Sequence, residues 1–126
     1  MRILIVEDSD SIRHMIETLV AARGHHVEAV PNGAKGIDAA LAHPPDAILL
    51  DLHLPGSFDG FDVCRKLRAA QGTRLVPIIV ISALTDDASK RQAADVGATA
   101  YYTKPFSPTA LLKELEALGR EAGGAR

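Results

Sequence analysis

The residues of this chain that could do chemistry stand directly after short apolar runs, at the points where those runs stop. Acids follow two of the runs, as Glu7-Asp8 and as Asp51, and two further runs are followed by Ser82 and Lys104. Three carboxylates in one site repel, so one of them would stay protonated unless a cation joined them. Oxygen donors without a cysteine or histidine cluster suit Mg²⁺ or Mn²⁺ better than zinc. The pattern therefore predicts a divalent-cation site.

A hydroxyl and a lysine beside such a metal suit an anion that also touches the metal, and a phosphoryl group fits that description. Asp51 would stand between the metal ligands on one side and Ser82 and Lys104 on the other. This is the position of a nucleophile that forms an aspartyl phosphate. Catalysis would consist largely of positioning and charge neutralisation.

These side chains can meet only if parallel strands carry them to one edge of a sheet. Residues 3–6, 47–50 and 78–81 are apolar without alternation, which is typical of strands buried on both faces. Helical spacing separates them, and it is clearest in a stripe that Gly24 closes: Ile12, Met15, Ile16, Leu19 and Val20. Strands that alternate with helices indicate βαβ units.

Two weaker strands complete the predicted sheet. "HHVEAV" at 25–30 alternates polar with apolar residues and "ATAYY" at 98–102 is short, so both are expected at the edges. The fold class is therefore α/β, a flavodoxin-like doubly wound sheet of five parallel strands in the order 2-1-3-4-5, flanked by five helices. In such sheets ligands bind outside the carboxyl ends of the strands. The helix at 86–96 has mainly alanine as apolar content and is expected to be the least anchored.

Several residues are expected to have structural roles only. Ser9 and Asp10 should cap the first helix and Asp59 the third, because their side chains accept hydrogen bonds from free N–H groups. Cys64 lies on a buried helix stripe and should pack in the core. The remaining group is expected to be solvated, on polar faces or loops: His14, His25, His26 and His43.

Composition restricts the classes of protein to consider. With 126 residues, 47% hydrophobic and 24% charged, the chain is expected to form one domain, with its core at about 2–120 and a frayed tail at 121–126. A net charge of −2 without a basic stripe disfavours direct nucleic-acid binding. A single cysteine indicates a reducing compartment, the cytoplasm. The opening "MRILIVED" is too short in its apolar part for a signal peptide or a membrane span.

With these motifs in this order, the chain resembles the receiver domains of two-component response regulators, in the stand-alone, chemotaxis-regulator-like form. The resemblance covers residues 3 to about 118 and depends on Glu7-Asp8, "LLDLHLP", "VISA" and "YYTKPF". It implies that Asp51 accepts a phosphoryl group from a phosphohistidine in a Mg²⁺-dependent reaction. The donor would be a sensor histidine kinase or a histidine phosphotransfer protein. The chain would be a switch in phosphorelay signalling rather than an enzyme, with only weak self-catalysed phosphotransfer and autodephosphorylation.

The resemblance also implies roles for the other site residues. Asp8, Asp51 and the main-chain carbonyl of His53 would ligate Mg²⁺, with Glu7 assisting through water. Ser82 and Lys104 would bind phosphoryl oxygens. Phosphorylation would draw Ser82 inward and let Tyr101 rotate into the space it leaves.

Some positions are expected to adjust kinetics or to contact partners. His53 and Leu84 should line the approach of water and so set the lifetime of the phosphoryl group. Pro105 and Phe106 should contact partners. Three residues, Gly56-Ser57-Phe58, separate Pro55 from Asp59-Gly60 where family members usually have two, so Phe58 is expected to alter partner contact at the rim of the site.

The expected partners are the phosphodonor and a downstream protein target. The chain ends about where its last helix does, so no output domain is expected. Dimerising receivers of the helix-four to helix-five kind carry an acidic pair before the strand-five aromatic, and Thr99-Ala100 stands there instead. The expected state is a monomer or a weak phosphorylation-dependent dimer.

Three alternatives stay open. "DSDSI" at 8–12 resembles the start of haloacid-dehalogenase-like phosphohydrolases, which would make Asp8 the nucleophile and Asp10 the acid/base. A flavin or nucleotide carrier is disfavoured because "EDSDS" repels phosphate and no glycine-rich loop is present. The third is a receiver that is never phosphorylated and serves as a docking module.

Overall fold

A computed structural model describes residues 1–124, which form ten alternating strands and helices. The strands are β1 Arg2–Val6, β2 His26–Val30, β3 Ala47–Asp51, β4 Ile78–Ser82 and β5 Ala100–Thr103. The helices are α1 Asp10–Ala22, α2 Gly33–Ala42, α3 Gly60–Ala69, α4 Asp87–Asp95 and α5 Pro108–Gly124. The predicted strands and helices are all confirmed.

The five strands form one parallel sheet in the order β2-β1-β3-β4-β5, as predicted. All residues of β3 and β4 are buried, because helices cover both faces of the central strands. In the register, Val6 pairs with Leu50, and Asp51 pairs with Ile81. The residues that follow β1, β3 and β4 therefore leave the sheet side by side.

Two hydrophobic layers flank the sheet. One contains buried residues of α2 and α3, such as Ile37, Val63 and Leu67, and includes the buried Cys64 as predicted. The other contains buried residues of α1 and α5, such as Ile16 and Leu115. Successive side chains of each strand point to alternate layers, so every central strand contributes to both cores.

Helix α4 is the weakly anchored helix that its composition predicts. Its only buried residue is Ala93, whereas the neighbouring α3 buries a stripe that includes Val63 and Leu67. Little apolar area holds α4 to the sheet, so a shift of this helix costs little free energy.

The helix ends follow the sequence with two exceptions. Ser9 caps α1 and Asp59 caps α3 in a capping box, as expected. Asp10 is instead the first helical residue, and its carboxylate pairs with Arg13 rather than capping. Helix α5 continues to Gly124, so residues 121–124 of the expected frayed tail are helical, and 125–126 lie outside the described residues. No helix of residues 1–124 has the length and apolarity to cross a bilayer.

Candidate functional site

The carboxyl ends of β1 and β3 bring the three predicted acids together. Carboxylate oxygens of Glu7, Asp8 and Asp51 all lie within 4.8 Å of one another. Glu7 and Asp51 are buried, whereas Asp8 is exposed. Two acids of the cluster are therefore shielded from solvent, and the cluster is open to solvent at Asp8.

Lys104 reaches this cluster from the loop after β5. Its ammonium lies 3.1 Å from Glu7 Oε1 and 3.0 Å from Asp51 Oδ2. Its backbone N–H donates to the carbonyl of Ser82 at 2.8 Å, which fixes the start of the loop against β4. Burial lowers the pKa of Lys104, but the bonds to Asp51 and Glu7 outweigh burial and raise that pKa above its usual value. The amine therefore stays charged at neutral pH.

One lysine does not neutralise three acids. Burial raises the pKa of Glu7 to about 7, and hydrogen bonding and repulsion from Asp51 add to the effect. The donor set consists only of oxygens, with an excess of negative charge that a hard cation would relieve. These residues fit Mg²⁺ or Mn²⁺, which prefer a few carboxylate ligands and retain several waters.

The loop after β3 continues the site beyond Asp51. The backbone N–H of His53 donates to Asp51 Oδ1 at 3.0 Å, which places the His53 backbone beside the carboxylate. The exposed imidazole of His53 has its Nε2 atom 3.5 Å from Ser82 Oγ. The structure therefore brings three predicted groups to one place: the acceptor Asp51, the His53 backbone whose carbonyl would ligate the metal, and the Ser82 hydroxyl.

Ser82 and Tyr101, the predicted switch pair, are joined through the backbone of Leu84. Ser82 is buried, and its Oγ accepts a hydrogen bond from the Leu84 N–H at 3.0 Å. The Tyr101 hydroxyl donates to the Leu84 carbonyl at 2.8 Å. Leu84 itself is 37% exposed beside them. Sequence reasoning chose all three residues but had no signal for this main-chain link.

The predicted partner-contact residues lie in different surroundings. Pro105 is exposed, and Phe106 packs partly against the α1–α5 core. Phe58 is half-buried against the α2–α3 core, with its ring 5.2 Å from the Lys66 ammonium. A Cβ added at Gly33 would lie 2.5 Å from the Phe58 carbonyl, so the extra loop residue fits closely over the start of α2. The side chain of Phe58 thus packs toward α2 and the core.

The dehalogenase alternative requires Asp8 and Asp10 to share one site. Asp10 belongs to α1, its side chain is 91% exposed, and it pairs with Arg13. It is not part of the Glu7, Asp8 and Asp51 cluster that the described residues form. The geometry is therefore wrong for that reaction.

Sequence reasoning missed Arg13, which bonds to the backbone that carries the acids. One guanidinium nitrogen lies 3.0 Å from the Glu7 carbonyl and 3.4 Å from the Asp8 carbonyl. The only signal in the sequence is an arginine one turn into the helix that follows the acid pair.

Comparisons with known proteins agree with this geometry. Residues 3–116 match the family model described as response regulator receiver domain. The response regulator ArlR of Staphylococcus aureus is 40% identical over 119 residues, which are 94% of this chain and 52% of that protein. The chain thus spans about half the length of the curated relatives it matches.

Solved structures give the same result. The chemotaxis protein CheY4 of Vibrio cholerae is 31% identical, with a TM-score of 0.86 over 93% of this chain and 97% of that one. The receiver domain of a sensor histidine kinase from Pseudomonas aeruginosa, solved with a magnesium ion coordinated in its active-site cleft, is also 31% identical. Its TM-score is 0.85 over 94% of this chain and 96% of that one. The family match covers most of the chain, and the chain belongs to the response regulator receiver domain family.

Proposed function

We propose that this chain accepts a phosphoryl group on Asp51 from a phosphohistidine, in a Mg²⁺-dependent reaction, and thereby switches its contacts with other proteins. The observation that carries the proposal is the buried Asp51 carboxylate, held by Lys104 at 3.0 Å within a cluster of three acids. In the transfer, the P–N bond to the donor imidazole breaks and a P–O bond to Asp51 forms. The electron pair of the broken P–N bond would stay on the donor nitrogen, and a proton on the other ring nitrogen would make the leaving group a neutral imidazole.

Mg²⁺ would be held by Asp8, Asp51 and the carbonyl of His53, with Glu7 acting through water. The bound ion would neutralise charge on the phosphoryl oxygens during an in-line transfer. The charge excess of the acid cluster supports this assignment, as does the magnesium ion in the cleft of the Pseudomonas receiver. Mn²⁺ has the same ligand preference and should substitute.

Lys104 and Ser82 would receive the transferred group. The ammonium already contacts Asp51 and would follow the new charge onto a phosphoryl oxygen. Ser82 Oγ would turn from the Leu84 N–H to donate to a phosphoryl oxygen. That turn breaks one bond of the chain of contacts that joins Ser82, Leu84 and Tyr101.

The expected output is a shift of the α4 and β5 surface. Because Tyr101 bonds to the Leu84 carbonyl, a movement of the loop after Ser82 changes the position of the tyrosine. Helix α4 begins shortly after that loop and is weakly anchored, so it would follow. His53 and Leu84, which flank the site, would set how quickly water removes the phosphoryl group.

The partners would be a sensor histidine kinase or a histidine phosphotransfer protein on the input side, and a protein target on the output side. Pro105 and Phe106, which follow Lys104 in the chain, and the β3–α3 loop near Phe58 would take part in contact. We expect cytoplasmic action, and a monomer or a weak phosphorylation-dependent dimer. Self-catalysed transfer and autodephosphorylation would be slow.

The test uses a small-molecule phosphodonor such as phosphoramidate with Mg²⁺, followed by intact-mass and peptide mass spectrometry. The wild type should gain one phosphoryl group on Asp51, and Asp51→Asn should gain none. Asp38→Asn, an exposed change in α2, is the matched control and should label normally. Labelling of Asp51→Asn at the wild-type level would overturn the assignment of the acceptor.

A second measurement separates a working switch from a docking module that is never phosphorylated. Beryllofluoride with Mg²⁺ should shift the amide NMR signals of Ser82, Leu84 and Tyr101 in the wild type. A wild type that neither labels nor responds would favour the docking alternative.

A further inference from the structure

Arg13 lies beside the acid cluster, but none of the roles proposed above for the cluster uses its side chain. Its side chain is 21% exposed and turns back from the first turn of α1 over the preceding loop. There it donates to the Glu7 carbonyl at 3.0 Å and the Asp8 carbonyl at 3.4 Å. A second nitrogen of the guanidinium bonds Asp10 Oδ1. Arg13 thus bonds to three residues of the segment that leads from β1 into α1, namely Glu7, Asp8 and Asp10.

Asp8 is the member of the cluster that most needs such support. Lys104 holds the carboxylates of Glu7 and Asp51. Within residues 1–124, no hydrogen bond or ion pair holds the exposed Asp8 carboxylate, so its position depends on the loop backbone. That backbone is fixed by the Arg13 contacts and by the Ser9 N–H, which donates to Glu7 Oε2 at 3.1 Å.

We propose that Arg13 is a positioning residue for the metal site, because it orders the loop of Glu7, Asp8 and Ser9 so that the Asp8 carboxylate stays aimed at the cation. The inference rests on the function proposed above. It assigns a role to a guanidinium that bonds the Glu7 and Asp8 carbonyls and the Asp10 carboxylate but none of the three carboxylates of the cluster.

The sign of the effect separates this role from simple electrostatics. A positive charge near a cation site repels the cation, so loss of Arg13 by charge alone would strengthen Mg²⁺ binding. Loss of a positioning contact would weaken it, and removal of an outer-shell partner typically costs 10- to 100-fold in metal affinity. The two readings therefore predict changes in opposite directions.

The chain offers matched variants. Arg13→Met keeps the apolar stem and removes all donors, whereas Arg13→Lys keeps the charge and one donor group. Asp10→Asn removes the ion pair of Arg13 but leaves its two carbonyl contacts. Arg65 forms an ion pair of the same i, i+3 spacing with Asp62 in the first turns of α3, so Arg65→Met is the control for loss of such a pair.

The experiment is Mg²⁺ titration of each metal-free variant by calorimetry, with amide hydrogen exchange of residues 7–9 measured by NMR before metal is added. Arg13→Met should bind Mg²⁺ about 10-fold more weakly and exchange faster at Ser9. Arg13→Lys should recover part of both losses. Arg65→Met should match the wild type in both measurements, and Asp10→Asn should match it in amide exchange at Ser9. Unchanged or tighter binding by Arg13→Met would overturn the inference.

Mg²⁺ binding by the wild type tests the proposed function separately from the role of Arg13. A wild type that shows no Mg²⁺ binding would contradict the proposed function itself, and the metal role of Arg13 would fall with it. A wild type that binds, with an Arg13→Met variant that binds equally well, would contradict only the role of Arg13.

Discussion

Two buried glutamates at opposite ends of the sheet have opposite charge environments. Glu7, at the carboxyl ends of the strands, is fully buried and shares one lysine with Asp51. Glu116 of α5 lies at the amino ends, is 6% exposed and has two partners to itself. Arg23 Nη2 is 2.7 Å from its Oε1, and His25 Nε2 is 2.8 Å from its Oε2.

The pKa values follow from this difference. Hydrogen bonds from Arg23 and then His25 lower the pKa of Glu116 to about 2. Burial, followed by the effect of Asp51, raises the pKa of Glu7 to about 7. The Glu116 cluster is satisfied and contributes stability, whereas the Glu7 cluster holds excess negative charge that makes it receptive to a cation. Burial of an acid therefore does not by itself mark a functional site, because the number of hydrogen-bonding and ionic partners decides whether its charge is balanced.

The largest expected effect is a change in the free energy of unfolding, which should have opposite signs for substitutions at the two ends of the sheet. Glu116→Gln should lower the free energy of unfolding by about 2 kcal/mol, since it weakens three hydrogen bonds to a buried carboxylate. Asp51→Asn should raise it by about 1 kcal/mol in Mg²⁺-free buffer, because it removes the repulsion with Glu7. Urea unfolding followed by circular dichroism measures both. Changes of the same sign would show that the charge environments of Glu116 and Glu7 do not differ as described.

Much of this arrangement could be predicted from the sequence. The apolar runs 3–6, 47–50 and 78–81 lack alternation, so they predict central parallel strands, and parallel strands deliver the residues after them to one edge. Position after a strand therefore suffices to predict that one site contains Glu7, Asp51 and Lys104.

The contacts that were missed depend on side chains that are far apart in the sequence or fold back locally. His25 was expected to be solvated, which is wrong: its side chain is only 10% exposed because it bonds Glu116, 91 residues away. The leucine stripe of α5 gives no hint that Glu116 is buried beside it. Arg13 was missed because spacing does not reveal that a long side chain turns back onto carbonyls.

The next prediction concerns the pH dependence of the Glu116 contribution. The folded-state pKa of Glu116 is about 2, below its usual 4.5, so this group stabilises the fold above pH 4.5. That contribution is lost as the pH falls from 4.5 toward about 2. The difference in unfolding free energy between wild type and Glu116→Gln should therefore shrink over this interval.

The measurement is urea unfolding of both proteins across that pH range, with Asp38→Asn as a control for an exposed acid. The difference between wild type and the control variant should stay small throughout. A difference between wild type and Glu116→Gln that stays constant down to pH 2 would show that the pairing with Arg23 and His25 does not lower the pKa of Glu116.

A smaller effect than the loss at Glu116 is expected from the response of the Glu7 cluster to Mg²⁺. A ligand that binds only the folded state stabilises it by RT ln(1 + [L]/Kd), which is about 1.4 kcal/mol at ten times the dissociation constant. The wild type should gain this amount, and Glu116→Gln should gain the same because its change lies at the far end of the sheet. Asp51→Asn should gain much less, since it lacks one carboxylate ligand. Equal gains in all three proteins, measured by thermal unfolding with and without Mg²⁺, would place the cation away from Asp51 and contradict a metal site in the Glu7 cluster.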